Sequence, residues 1–120
     1  MDMLYYIYIG SNRVTIDHLS KITGGMFMAV SSCNKAAKVI DGIRERYNTS
    51  ILYEESTPQK DSQNITFLHK RFPRVYIILI TEGLQKEHRK LYLQAGVNNT
   101  LSPMASEESL LQMVKCLRVG

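Results

Sequence analysis

Two adjacent carboxylates, Glu54 and Glu55, follow the apolar triplet Ile51-Leu52-Tyr53, and Pro58 stands four residues after the first of them. A carboxylate at the end of a buried strand can attack an electrophile, hold a hard cation, or accept hydrogen bonds from nearby backbone amides. The run Val75-Tyr76-Ile77-Ile78-Leu79-Ile80 ends in a hydroxyl, Thr81. The run Leu4 to Ile9 ends in Gly10-Ser11, which carries no charge. Other chemistries lack their residues. Gly10-Ser11-Asn12-Arg13 has one glycine, so it makes neither a dinucleotide fingerprint nor a P-loop. No Gly-x-Ser-x-Gly elbow is present. Cys33 and Cys116 stand far apart with no Cys or His at ligand spacing, so no structural zinc site is expected and both read as thiols of a reducing compartment. His18, His69 and His88 fall on predicted helices, away from these strand ends. An enzyme active site is not expected.

The elements that position these residues read as strand then helix, five times. Leu4–Ile9, Met26–Val30, Ile51–Tyr53, Val75–Ile80 and Asn99–Leu101 are the predicted strands. Ser11 or Asn12 caps a first helix with Ile16, Leu19 and Ile22 inward, stopped by Gly24-Gly25. Ser32 or Asn34 caps a second, whose face is Ala36, Ile40, Ile43 and Tyr47. Ser56–Gln63 reads as a polar loop, followed by a third helix marked by Ile65, Leu68 and Phe72. Leu84, His88, Leu91 and Ala95 stripe a fourth, and Ser106-Glu107-Glu108 opens a fifth with Leu110, Val114 and Leu117 inward. Short links between alternating elements imply an α/β fold with a five-stranded parallel sheet, doubly wound. Ligands of such sheets bind at the carboxyl ends of the strands, where Gly10, Glu54 and Thr81 lie.

The composition agrees. The chain has 120 residues, 44% hydrophobic and 22% charged, which suits one globular domain over residues 1–120. Fifteen Lys and Arg against eleven Asp and Glu give +4, a mildly basic surface. The first residues lack a basic region and a cleavage site, and no apolar run reaches bilayer length, so a cytoplasmic location without membrane contact is expected.

The element order, together with Ile51–Pro58, Ile78-Leu79-Ile80-Thr81 and Gly96–Leu101 followed by Ser106–Leu111, resembles the CheY-like receiver domain of bacterial two-component response regulators. The resemblance covers the whole chain. It implies the flavodoxin/CheY-like (βα)5 fold and a role in phosphorelay signal transduction. It places the phosphoacceptor position on Glu54 and the switch hydroxyl on Thr81. The acidic pair that would hold Mg²⁺ falls on Gly10 and Ser11, the Lys position on Pro103 (Ser102 with a one-residue shift), and the aromatic switch position on Thr100. Of these main positions, Thr81 alone keeps its residue type. The resemblance therefore implies a degenerate pseudo-receiver with no cofactor, Glu54 serving as a carboxylate hydrogen-bonded at helix N-termini or imitating a phosphorylated Asp.

It further implies a regulatory module that works through a protein partner, an attached output domain or a homodimer formed by the last helix-strand-helix face. Lys86, Arg89, Lys90, Lys115 and Arg118 are the candidate interface, and nucleic acid would be reached only through an output domain. The end at Val119-Gly120 suggests the N-terminal regulatory part of a longer protein. Two alternatives remain: a receiver still responsive to phosphoryl donors, and a small-ligand sensor using the strand-end cleft.

Overall fold

The computed structural model describes residues 3–118, with side chains described from 4 to 113. Strands β1 (Met3–Ile9), β2 (Phe27–Val30), β3 (Tyr47–Glu54), β4 (Tyr76–Ile80) and β5 (Asn99–Leu101) alternate with helices α1 (Arg13–Ile22), α2 (Cys33–Ile43), α3 (Pro58–Arg71), α4 (Lys86–Ala95) and α5 (Glu107–Arg118). The strands form one sheet in the order β2-β1-β3-β4-β5, and every neighbouring pair is parallel. β1 and β3 share the longest ladder, from Met3 opposite Tyr47 to Ile9 opposite Tyr53.

Alternating side chains on each strand feed two cores. Ile7, Ile9, Ile51, Tyr53, Ile77 and Leu79 pack against α2, α3 and α4. Tyr6, Tyr8, Leu52, Ile78 and Ile80 pack against Leu19 of α1 and Leu110 of α5. Helices therefore cover both faces, which explains why β4 is almost wholly apolar. The doubly wound architecture expected from the sequence is the one observed.

Local signals act as their chemistry dictates. The Asn12 side chain accepts from the amide of Thr15 and Ser32 from that of Lys35, so each caps its helix. Gly96 ends α4 at φ 126, where its amide bonds back to Tyr92 and Leu93. Three expectations need correction. Tyr47 is the first residue of β3 and not the last of a helix, because Asn48, Thr49 and Ser50 continue the ladder with β1 despite their polarity. The stretch read as a loop through Gln63 is helical from Pro58, whose fixed φ suits the first helical position. In α4 the inward residues are Tyr92 and Ala95, with Leu84, His88 and Leu91 only partly buried.

Leu68 is fully buried between α3 and the sheet. Leu68→Ala is expected to cost about 2–5 kcal/mol in urea denaturation. Val14→Ala, at a side chain that is 66% exposed, is expected to leave the midpoint within experimental error.

Candidate functional site

The carboxyl ends of β1, β3 and β4 bring Gly10, Ser11, Glu54 and Thr81 to one edge. Glu54 is the centre of it. Its Oε1 accepts from the Tyr8 hydroxyl at 2.6 Å and from the Asn12 amide at 2.8 Å. Its Oε2 accepts from the Ser11 amide at 3.3 Å. Of the two positions that would carry a receiver's acidic pair, Ser11 supplies a donor, while the Gly10 amide bonds to Val30. The amides that meet the carboxylate belong to the link before α1 and its cap residue Asn12, close to the positive end of the helix dipole. Burial, and then the bond to Glu54, pushes the Tyr8 phenol well above its ordinary range, so Tyr8 stays a donor. Gly10 has its residue type for a steric reason. A Cβ there would lie 2.6 Å from the Glu54 Cβ.

Glu55 takes the Thr81 hydroxyl at the end of β4. Thr81 Oγ1 donates to Glu55 Oε1 at 2.8 Å and accepts from the Gly83 amide at 3.2 Å. The Glu55 amide is also tied to the carbonyl of Ile80, the last residue of β4. Glu54, Glu55, Thr81 and Pro103 line one cleft of about 450 Å³. Among the described residues no Lys or Arg lines it, and Glu82 adds a third carboxylate; Lys60 lines the neighbouring cleft on the other side of Glu54. A phosphoryl group entering there would meet negative charge without a compensating cation, the reverse of what its transfer needs. The magnesium ion of receiver chemistry wants several free oxygen ligands. Glu54 already accepts three hydrogens, Glu55 holds Thr81, and Gly10 and Ser11 contribute no carboxylate. Among the described residues no three His, Cys, Asp or Glu side chains gather as a metal-ligand group. This donor set differs from the one the ion has in receiver chemistry, because the two positions of the acidic pair carry no carboxylate.

Behind this edge lies a buried acid that sequence reasoning missed. Asp61, in the first turn of α3, is 1% exposed. It accepts from the Tyr53 hydroxyl at 3.1 Å, the Tyr92 hydroxyl at 2.8 Å and the Ser56 amide at 2.7 Å. Asn64 completes the cage by donating to Tyr53 at 2.9 Å. Burial foremost, and for Tyr92 next the bond to Asp61, holds both phenols protonated. The cage ties β3, α3 and α4 together. Its signal was present: Asp61, Ile65, Leu68 and Phe72 recur at i, i+4, i+7 and i+11, which places the acid on the buried stripe. Burial, aided by the Asp61 charge, raises the nearby Cys33 thiol to about 11. That thiol is unreactive at neutral pH.

The basic positions form no part of this site. Lys86, Arg89 and Lys90 are exposed on α4, near exposed Leu93. Arg89 and Thr81 both line a groove of about 380 Å³ between α4 and β5, so the strand end and the helix face adjoin. The side chains of Lys115 and Arg118 lie outside the described residues. The Ala105 carbonyl accepts a hydrogen bond from His18 Nε2 at 2.6 Å, which joins α1 to the segment before α5.

Asp61→Ala is expected to lower stability by more than about 3 kcal/mol, since it strands two buried phenols and an amide. Tyr92→Phe removes one donor and is expected to cost about 1.5–3 kcal/mol. Equal, near-zero effects in denaturant titration would contradict the role of the cage.

No protein-family model and no curated protein sequence matches the chain. Solved structures do. A CheY-like protein from Pseudomonas aeruginosa PAO1 superposes with a TM-score of 0.76 at 13% identity, over 98% of this chain and 94% of that one. The signal receiver domain of an HD domain-containing protein from Pseudomonas fluorescens Pf-5 gives 0.76 at 15% identity, over 97% and 87%. A response regulator from Thermotoga maritima gives 0.75 at 13% identity, over the whole of both chains. Identities this low speak for architecture and not for shared chemistry. On the strand order, the two-faced helix cover and these superpositions, the chain has the fold of a CheY-like response-regulator receiver domain.

Proposed function

We propose that this domain is a regulatory module of signal transduction that acts by protein contact, without phosphorylation at Glu54 and without catalysis of its own. One observation carries the reading: the carboxylate at the acceptor position accepts from Tyr8, Ser11 and Asn12, and on its Thr81 side no cation among the described residues lines the cleft. An oxygen that accepts strong hydrogen bonds is a poorer nucleophile, and the transition state lacks its electrostatic support. Mg²⁺ has no part in this function. The bond from Thr81 to Glu55 sets the loop after β4 in one state that does not wait for a signal at the strand ends.

The working surface is then the face made by α4, β5 and α5. Lys86, Arg89 and Lys90 on α4 and the carboxylates of Glu107 and Glu108 on α5 are all exposed. Leu93 and Leu111, 58% and 50% exposed, add apolar area to the same two helices. A second copy or an attached output domain offers the complementary charge. No helix among the described residues is long and apolar enough to cross a membrane.

The test replaces Lys86, Arg89 and Lys90 by Glu together and follows sedimentation and circular dichroism. Loss of self-association, or of binding to the output domain, with unchanged ellipticity is expected. Acetyl phosphate with Mg²⁺ is expected to leave the unmodified chain's sedimentation as it was. A shift of assembly on adding the phosphodonor would contradict the proposal.

A further inference from the structure

The opposite edge of the sheet carries a second feature that the strand-end site does not use. A cleft of about 520 Å³ lies where α2 and α3 end and β3 and β4 begin. Arg44, Arg71 and Arg74 line it, with Glu45 as its one carboxylate. Two of these cations have work already. Asp41 takes Arg71 at 2.5 Å and Arg44 at 3.8 Å, in exposed pairs that solvent screens. Both also offset the negative ends of α2 and α3, which would otherwise repel an anion. Arg74, on the link before β4, has no ion-pair partner among the described residues. It is positive charge in excess of what the fold consumes.

The wall of the cleft holds an independent sign. Thr49 is 8% exposed, and among the described residues its buried Oγ1 has no hydrogen-bond partner; the Oγ of Ser50 beside it, fully buried and off the cleft, has none either. Buried hydroxyls are nearly always paired, and that of Thr49, in the cleft wall, is the one of the two that a bound molecule could pair. A turn about χ1 is the smallest movement that would offer it to a bound oxygen. Tyr47, half-buried beside it, supplies an aromatic wall and is held by a tilted ring contact with Tyr5 at 5.4 Å.

We propose that this cleft binds a small phosphate ester carrying a flat ring, of the mononucleotide class. Guanidinium groups fit phosphate oxygens with paired donors, Tyr47 provides the face for the ring, and the volume lies in the range of small-ligand sites. A concave site with a buried hydroxyl in its wall favours a small molecule over the backbone of a nucleic acid. The site stands apart from the strand-end edge and does not depend on how that edge works.

The experiment titrates the isotopically labelled 120-residue chain with adenosine and cytidine monophosphates, using adenosine and inorganic phosphate as separate arms. The proposal expects saturable amide shifts at Arg44, Tyr47, Thr49 and Arg74 at low-millimolar nucleotide, with each fragment alone at least about tenfold weaker. Arg74→Gln, at an exposed link, is expected to weaken binding about tenfold while leaving the rest of the spectrum in place. Thr49→Val is expected to raise the melting temperature, by removing the unpaired hydroxyl, and to weaken the nucleotide. Absence of saturable shifts at these amides, binding of inorganic phosphate as tight as that of the nucleotides, or indifference to Arg74→Gln would overturn it.

Discussion

The three hydrogen bonds accepted by Glu54 hold together everything that matters at the strand ends. They join the last residue of β3 to Tyr8 of β1 and to the first amides of the α1 turn. β1 and β3 are neighbours at the point where the strand order reverses, so a cleft opens there in any sheet of this kind. In this chain one side chain spans that gap. Gly10 must then be small, because the Glu54 side chain passes directly over it.

Charge follows from the same clamp. Donors stand where further carboxylates would be needed to hold a cation, and the neighbouring carboxylate, Glu55, takes the Thr81 hydroxyl. Glu54 accepts three hydrogen bonds from the protein itself and Glu55 accepts one. The Asp61 cage does the same one layer deeper, at the cost of burying a charge that only phenols and an amide compensate. It gives α3, α4 and β3 a fixed relation. Together the two clusters fix β1, β3, α3 and α4 relative to one another at this edge of the sheet.

Much of this was legible in the residues. β4 announced itself because a strand covered on both faces needs an unbroken apolar run, and Val75 to Ile80 is one. The place of Glu54 after Ile51-Leu52-Tyr53 put it at the carboxyl edge of the sheet, and there it accepts from the amides of Ser11 and Asn12 in the link before α1. The first half of β3 was hidden because Asn48, Thr49 and Ser50 look like a turn, and only pairing with β1 makes them a strand. Asp61 was hidden because a carboxylate is read as solvent-facing, although it lies on the helical stripe of Ile65 and Leu68. The role of Tyr8 was invisible for another reason: periodicity places its ring in a core but says nothing of where its hydroxyl ends.

The most direct measurement of the central claim is a pair of backbone amide spectra, one with Mg²⁺ alone and one with Mg²⁺ and beryllofluoride, a mimic of an acyl phosphate. With Glu54 held by Tyr8, Ser11 and Asn12, the spectra should coincide at Gly10, Glu54 and Thr81. Shifts clustered at those three residues would show that the carboxylate can leave its donors and take a phosphoryl mimic, and the account of a spent acceptor would be wrong.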